Sequence, residues 1–346
     1  LKAQAPWLGA NVLLASSKLT DQAWRSSVTV NELFASGALG EWHFSAGRKI
    51  VGWDVGYGFR PNDVVQQEAR RTLIGNTPQG RPLLQAETFS ADTAWSFVWV
   101  NPTEQGHSVG ADELALAARV YRRAGPVDWH GFARWGEHTH ASVGAAVSWV
   151  ATDSLELHAS WRYARYVDAL GLPDVSQQLL RESPYAVQEL ANVQQALLGG
   201  TWTGENKLSL MLEAWYDGSA PSLVQWQAWR SRNASLGGLL SPISPPNLRG
   251  AVAGNLAWQG NAFARSNLQQ QTVFARIAWD QSPWQPSLDM LWHPQDGGLM
   301  TTAALAWQGD RWRMDVGCRW YGGKADSVVA HLPTRRTAYV AATWMF

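Results

Sequence analysis

Arginine is the residue with the most chemistry to offer in this chain, and it recurs at alternate positions. Arg119, Arg134, Arg162, Arg276, Arg311, Arg313 and Arg319 each fall on the polar side of a stretch whose other positions are apolar. Glu113, Asp128, Glu156, Glu213, Asp289 and Asp315 share that side. A guanidinium is a permanent cation whose planar fork grips carboxylate, sulfate or phosphate with two bonds. Such a row reads either as a ladder guiding anionic or polar solutes or as a set of salt bridges stiffening a wall. The near balance of signs keeps both readings open. Catalytic patterns are thin by comparison. His130 and His158 lie on the polar side, but their neighbours Asp128 and Glu156 sit two residues away, a spacing set by an extended chain. The chain holds no Gly-x-Ser-x-Gly elbow, no His-Glu-x-x-His helix and no phosphate loop. His138 and His140, beside a tight turn, read as solvated groups. The single cysteine, Cys318, excludes a disulfide within the chain and a thiolate cluster. The expectation is a protein without enzymatic activity, metal or cofactor.

The elements that must carry these charges are strands. Val127, Trp129, Gly131, Ala133 and Trp135 alternate with Asp128, His130, Phe132 and Arg134. Leu155, Leu157, Ala159, Trp161 and Tyr163 alternate with Glu156, His158, Ser160 and Arg162, and Trp312, Met314, Val316, Cys318 and Trp320 with Arg313, Asp315 and Arg319. The polar face is too charged for a packed core, and the apolar face is too rich in tryptophan for water. There are 22 tryptophans, a residue favoured where apolar surface meets a polar interface. Charged residues make up only 16% of the chain, and its net charge of +0 argues against a nucleic-acid partner. No stretch approaches about 18 consecutive apolar residues, so no membrane-crossing helix is expected. These features predict an all-β fold: one transmembrane antiparallel β-barrel of about sixteen strands (range about 14–18) over residues 1–346. Its first strands fall near Trp7–Ala15, Ala23–Ala35 and Glu41–Ile50, and later ones include Asp112–Arg122, Ser154–Tyr166 and Val193–Thr203. Insertions are expected at about 51–80, 167–192 and 217–267, the second partly helical. Long connections fall at alternate junctions, as in barrels with short periplasmic turns and long extracellular loops.

Two stretches carry a resemblance. The last, Thr337-Ala338-Tyr339-Val340-Ala341-Ala342-Thr343-Trp344-Met345-Phe346, alternates in polarity and stops on an aromatic residue. It resembles the final strand of Gram-negative outer-membrane barrels, which the barrel-assembly machinery reads. The other runs Gly47-Arg48-Lys49, then Trp53, then the glycine-rich Gly56-Tyr57-Gly58-Phe59-Arg60-Pro61-Asn62-Asp63. It is similar to substrate-selective porins, where a loop after such a strand folds toward the pore. The resemblance implies an outer-membrane channel for passive diffusion of small polar or anionic solutes. Lipid, the assembly machinery (through Phe346) and a small polar solute would be its partners. Its pore-lining residues would be Arg119, Arg134, Arg162, Arg276, Arg313, Arg319, Glu113, Asp128, Glu156 and Asp315. Trp53, Asp54, Arg60, Asp63, Glu68, Arg70 and Arg71 would form a constriction. The bland counterpart for that loop is a solvated surface excursion. A rival reading is a barrel plugged by 217–267, serving export, assembly or structure with a periplasmic or secreted partner. In that insertion Trp226 and Trp229 would either touch a sugar or aromatic ligand or pack inside a lid. A barrel hydrolase acting on lipid is a third reading, though no His–Ser or His–acid pair near the membrane rim stands out. Leu1-Lys2-Ala3-Gln4-Ala5 shows no signal peptide, so an exported protein would be represented here by its mature or trimmed chain.

Overall fold

The computed structural model describes residues 2–5, 7–17, 25–67, 80–102, 112–175, 178–240 and 245–344. They form strands at Lys2–Ala5 (β1), Leu8–Ser17 (β2), Arg25–Leu39 (β3), Trp42–Lys49 (β4), Arg81–Phe89 (β5), Thr93–Val100 (β6), Ala115–Ala124 (β7), Val127–Gly136 (β8) and His140–Thr152 (β9). Leu155–Leu170 (β10), Val187–Thr203 (β11) and Leu208–Asp217 (β12) follow. Two helices, Leu223–Leu239 (α1) and Pro246–Gln259 (α2), come next, and then Gln271–Trp279 (β13), Trp284–His293 (β14), Gly298–Gln308 (β15), Trp312–Gly323 (β16) and Arg336–Trp344 (β17). The strands make one 17-stranded sheet in which chain neighbours pair antiparallel. The expected all-β antiparallel fold and strand number are therefore present, with the four-residue β1 as a strand the sequence reading did not contain.

Strand formation follows the two-residue period. On β6, Trp95, Phe97 and Trp99 are exposed while Ser96, Val98 and Val100 are buried, so a slip of one residue would exchange the two faces completely. Turns sit where the backbone must reverse in two or three residues. Gly125, at a positive φ of 61°, allows β7 to return as β8 with only Pro126 beside it. Short turns at 40–41, 90–92, 125–126, 153–154, 204–207, 280–283 and 309–311 alternate along the chain with connections at 50–80, 101–114, 137–139, 171–186, 218–270, 294–297 and 324–335. The expected alternation of loop lengths is thus observed, with two short members on the long side.

The insertion expected at 167–192 is smaller than the sequence reading held. β10 runs on to Leu170 and β11 begins at Val187, and the described residues between them contain no helix. Residues 187–192 are exposed or half-buried on both faces. A strand that is wet on both sides loses the apolar alternation that reveals a strand in sequence.

Contacts divide the chain into two compact units, residues 1–151 with 158–166 (unit 1) and 152–157 with 167–346 (unit 2). Unit 1 is wall plus a folded loop. Its core joins Val51, Trp53, Val64 and Val65 of the loop to Leu83, Val98, Val100, Ala115, Ala117, Phe132 and Ala146 of β5 to β9. Unit 2 is wall plus a helical excursion. That core gathers Trp226 and Trp229 of α1 with Leu172, Tyr185, Ala262, Leu268 and Val328.

Candidate functional site

Residues 51–67 form no regular element, so their polar backbone and side chains must find partners elsewhere. They find them on the inner face of unit 1. Asn62 donates through Nδ2 to Ser160 Oγ at 2.9 Å, the Trp161 carbonyl at 3.0 Å and the Ala145 carbonyl at 3.3 Å. Ser160 in turn donates to Asp54 Oδ1 at 2.7 Å, and Asp54 also accepts from the Asn62 and Val55 amides at 2.5 and 2.9 Å. A Cβ at Gly144 would collide with the Asn62 carboxamide and come within 2.7 Å of the Trp161 carbonyl. The loop can therefore lie against β9 only because residue 144 has no side chain. Burial pushes the Asp54 carboxyl above its ordinary value, and bonds from Ser160 and the two amides, with Arg60 nearby, pull only partly the other way.

The loop residues named from sequence divide accordingly. Trp53 is 5% exposed and Asp63 is 6% exposed, so both are core, with the Trp53 amide donating to Asp63 Oδ1 at 3.4 Å. Arg60 donates through Nε to the Gly56 carbonyl at 2.6 Å and remains half-buried beside exposed Tyr57. Glu68, Arg70 and Arg71 lie outside the described residues. A solvated surface excursion is excluded for 51–67, since residues 61–66 are all buried.

Two arginines expected to line a pore instead hold the fold. Arg162 is buried and donates to the Pro61 carbonyl and Ser142 Oγ, both at 3.3 Å, which makes it a clamp on the loop. Arg134 donates to Glu113 Oε1 at 2.5 Å and Thr139 Oγ1 at 2.8 Å, and the Glu113–Arg134 side chains are only 1% and 2% exposed. Glu113 also accepts from the His138 and Thr139 amides at 2.8 and 2.9 Å. This latch ties the β6–β7 connection to the β8–β9 turn. Burial works to raise the Glu113 carboxyl, but Arg134 and the Thr139 bonds overcome it and hold the group below its ordinary value. Buried and bonded to each other, the pair is a strut and not a solute contact.

Other expected residues do face inward with polar company. Arg119 meets His130 Nδ1 at 3.0 Å and lies 5.7 Å from the Tyr121 ring, while Tyr121 donates to Asp128 Oδ1 at 2.7 Å. Glu156 shares the face of His158, Ser160 and Arg162 on β10. In unit 2 the antiparallel registers place Arg276, Asp289, Thr302, Arg319 and Thr337 side by side across β13 to β17. Arg276 grips Asp289 with two bonds at 3.0 and 3.2 Å, and Arg319 donates to Thr302 Oγ1 at 2.8 Å. Arg313 and Asp315 pair along one strand at 3.0 Å. This row is a half-exposed charged belt.

The sequence reading missed Asn62, Gly144 and Ser160, which hold the loop, as well as Thr302 and Thr337, which complete the belt. Register supplies the signal for the belt. Nothing in the chain pairs Asn62 with residues nearly 100 positions away.

The helical excursion buries its aromatics. Trp226 donates to the Leu268 carbonyl at 2.5 Å, and Trp229 to the Gln259 carbonyl at 3.1 Å. Both pack on Phe263 with ring centroids 6.0 and 5.3 Å away. Arg232, 1% exposed, donates to the carbonyls of Val175 and Gln178 at 2.5 and 2.6 Å. The tryptophans are therefore interior and offer no face to a sugar or aromatic ligand, and Arg232 is a buried staple.

The other face of the sheet is dominated by large apolar side chains. Trp95, Trp99, Trp129, Trp135, Trp161, Trp292, Trp312 and Trp320 are each exposed by at least 40%. Lipid, not water, satisfies such a surface.

No family model matches the chain, and no curated protein matches it. Solved structures do match in fold. OccAB1 of Acinetobacter baumannii superposes with a TM-score of 0.52 and 10% identity, covering 98% of this chain and 87% of that one. OccK8 (OprE) of Pseudomonas aeruginosa gives 0.52 and 8%, covering 99% and 88%. Wzi, a carbohydrate-binding β-barrel involved in Group 1 capsule assembly in Escherichia coli, gives 0.52 and 9%, covering 99% and 76%. The fold is thus the antiparallel β-barrel of outer-membrane, porin-like proteins.

Proposed function

We propose that the chain is an outer-membrane channel for passive, partly selective diffusion of small polar or anionic solutes. The observation that carries this reading is the loop 51–67 lying on the inner face of unit 1, held by side chains and not by chance packing. A loop anchored there narrows the way through and leaves Tyr57 and Arg60 as the groups a solute meets. Arg119 and the unit 2 belt supply inward cations beyond the paired acids. Because Arg276 and Arg313 are matched by Asp289 and Asp315, the expected preference for anions is modest. Single-channel recording in planar bilayers tests the reading: steady conductance with a reversal potential leaning to anions supports it, and absence of conductance from the intact chain refutes it.

A second reading keeps the barrel but closes it with 218–270, for export, assembly or a structural role with a periplasmic or secreted partner. The observation favouring it is the helix pair with its own core. Silence of the intact chain, followed by large conductance once 219–266 is deleted, would move the assignment to this reading. Recognition by the barrel-assembly machinery through Phe346 belongs to either reading, and that residue lies outside the described ones.

A further inference from the structure

The lipid-facing wall of unit 1 is not smooth. Toward the long-loop end of β6 to β9 it carries a concavity of about 600 Å³. Its floor is Ala118, Ala133 and Ala141, and its sides are Phe97, Leu116 and Trp135. Register explains the shape. Ala118 faces Ala133 directly and Leu116 faces Trp135, so two methyl groups sit beside two large side chains. The outward surface drops sharply from one pair to the next.

The slot opens onto a collar of rings. Trp135 lies 5.8 Å from His140, and His140 lies 5.6 Å from Tyr166. The Arg165 guanidinium sits 5.2 Å from the Tyr166 ring. Arg165 is exposed. The order is apolar floor, then the rings that lead from Trp135 through His140 to Tyr166, then the exposed Arg165 cation. A membrane lipid shows the same order: acyl chain, interface, phosphate. An empty apolar slot facing lipid would be filled by whatever chain lies against it. The exposed cation that these rings connect to its edge is what selects among such chains.

We propose that this slot and collar form a binding site for one phosphate-bearing lipid, its acyl chain lying over Ala118 and Ala133 and its phosphate on Arg165. The site lies on the outer wall and does not depend on whether the barrel conducts.

Native mass spectrometry of delipidated protein tests it, with dioleoyl phosphatidic acid and dioleoylglycerol as probes. Wild type should hold one phosphatidic acid per chain, bound about fivefold more tightly than the uncharged probe, the gain one basic residue gives near a lipid phosphate. Ala118→Phe, which fills the slot, should abolish that retention. Arg165→Gln should leave binding but make the two probes equal. Unchanged retention in Ala118→Phe would overturn the proposal, as would a phosphate preference that survives Arg165→Gln. A two-chain species in wild type that Ala118→Phe disperses would also overturn it, assigning the slot to a second copy. Should Ala118→Phe fail to assemble, Ala133→Leu fills the same slot and reads the same outcomes.

Discussion

Loop 51–67 and excursion 218–270 solve one problem in opposite ways. Each leaves the wall at the long-loop end of its own unit and must bury enough apolar surface to offset the entropy of becoming ordered. The first is too short for a core of its own. It takes Leu83, Val98 and Phe132 from the wall, and the buried Asn62 carboxamide ties it down. The second is long enough for two helices. It begins with a capping box in which Ser222 and Gln225 satisfy each other's backbone amides, and it closes on Trp226, Trp229 and Phe263. The excursion is therefore sensitive to its own large side chains, whereas the loop is sensitive to the shape of the wall beneath it.

The largest expected effects test that division. Trp226→Ala should cost about 3–5 kcal/mol of local stability, by cavity formation in the helical core. Limited proteolysis should then cut within 218–270 while 51–67 stays protected; equal loss of protection in both would break the comparison. Arg134→Ala should cost a similar amount, about 3–5 kcal/mol, because it leaves Glu113 charged and buried. Thermal melting of the barrel reads this loss, and Arg134→Ala with Glu113→Gln should restore part of it. A pore-lining Arg134 would instead change selectivity and leave the melt untouched.

Gly144→Leu comes next. It should dislodge Asn62 and free the loop at a cost of about 1–3 kcal/mol, the penalty for stranding buried polar groups. The expected readout is a larger, noisier conductance with the barrel melt little changed. Identical conductance would mean that the loop does not narrow the path.

Acidity should act on the two unit 1 devices in opposite directions. Asp54 has a folded value above 3.8, so its burial destabilises the loop more as pH rises through the window above 3.8, and protonation firms the loop up. Glu113 is held below 4.5, so the latch keeps its full contribution above 4.5 and loses it as pH falls through the lower folded value. Melting of Asp54→Asn and Glu113→Gln across this range should show pH slopes altered with opposite sign. The smallest effect is expected for Arg319→Ala, whose guanidinium is held by a hydroxyl. It should shift the reversal potential toward cations with a melt change under about 1 kcal/mol.

The fold was legible because lipid enforces contrast. Wherever a strand has lipid on one side, as Trp312 to Trp320 do, the sequence alternates and both faces can be assigned. Where β11 is exposed or half-buried on both faces, at 187–192, alternation fades and the sequence pattern resembles an insertion. The candidate site was legible only in part, for a related reason. Period two tells which arginines point inward but not how far another segment fills the space they enter. Arg162 and Arg134 have the same spacing as Arg119 and Arg319, yet a loop carbonyl and a buried glutamate occupy them. Residue type suggests the constriction for Trp53, whereas its hydrophobicity commits it to the core.

The position of the Asn62 anchor bears on how such a chain can change over generations. Because the loop is pinned through residues 54 and 62 to β9 and β10, its placement does not depend on the length of chain that follows it on the way to β5. Insertions and deletions beyond residue 67 are thereby uncoupled from the geometry of 51–67. The wall glycine at 144, in contrast, has no such freedom. One part of the excursion can drift while the other is inherited as a unit with the strands that hold it.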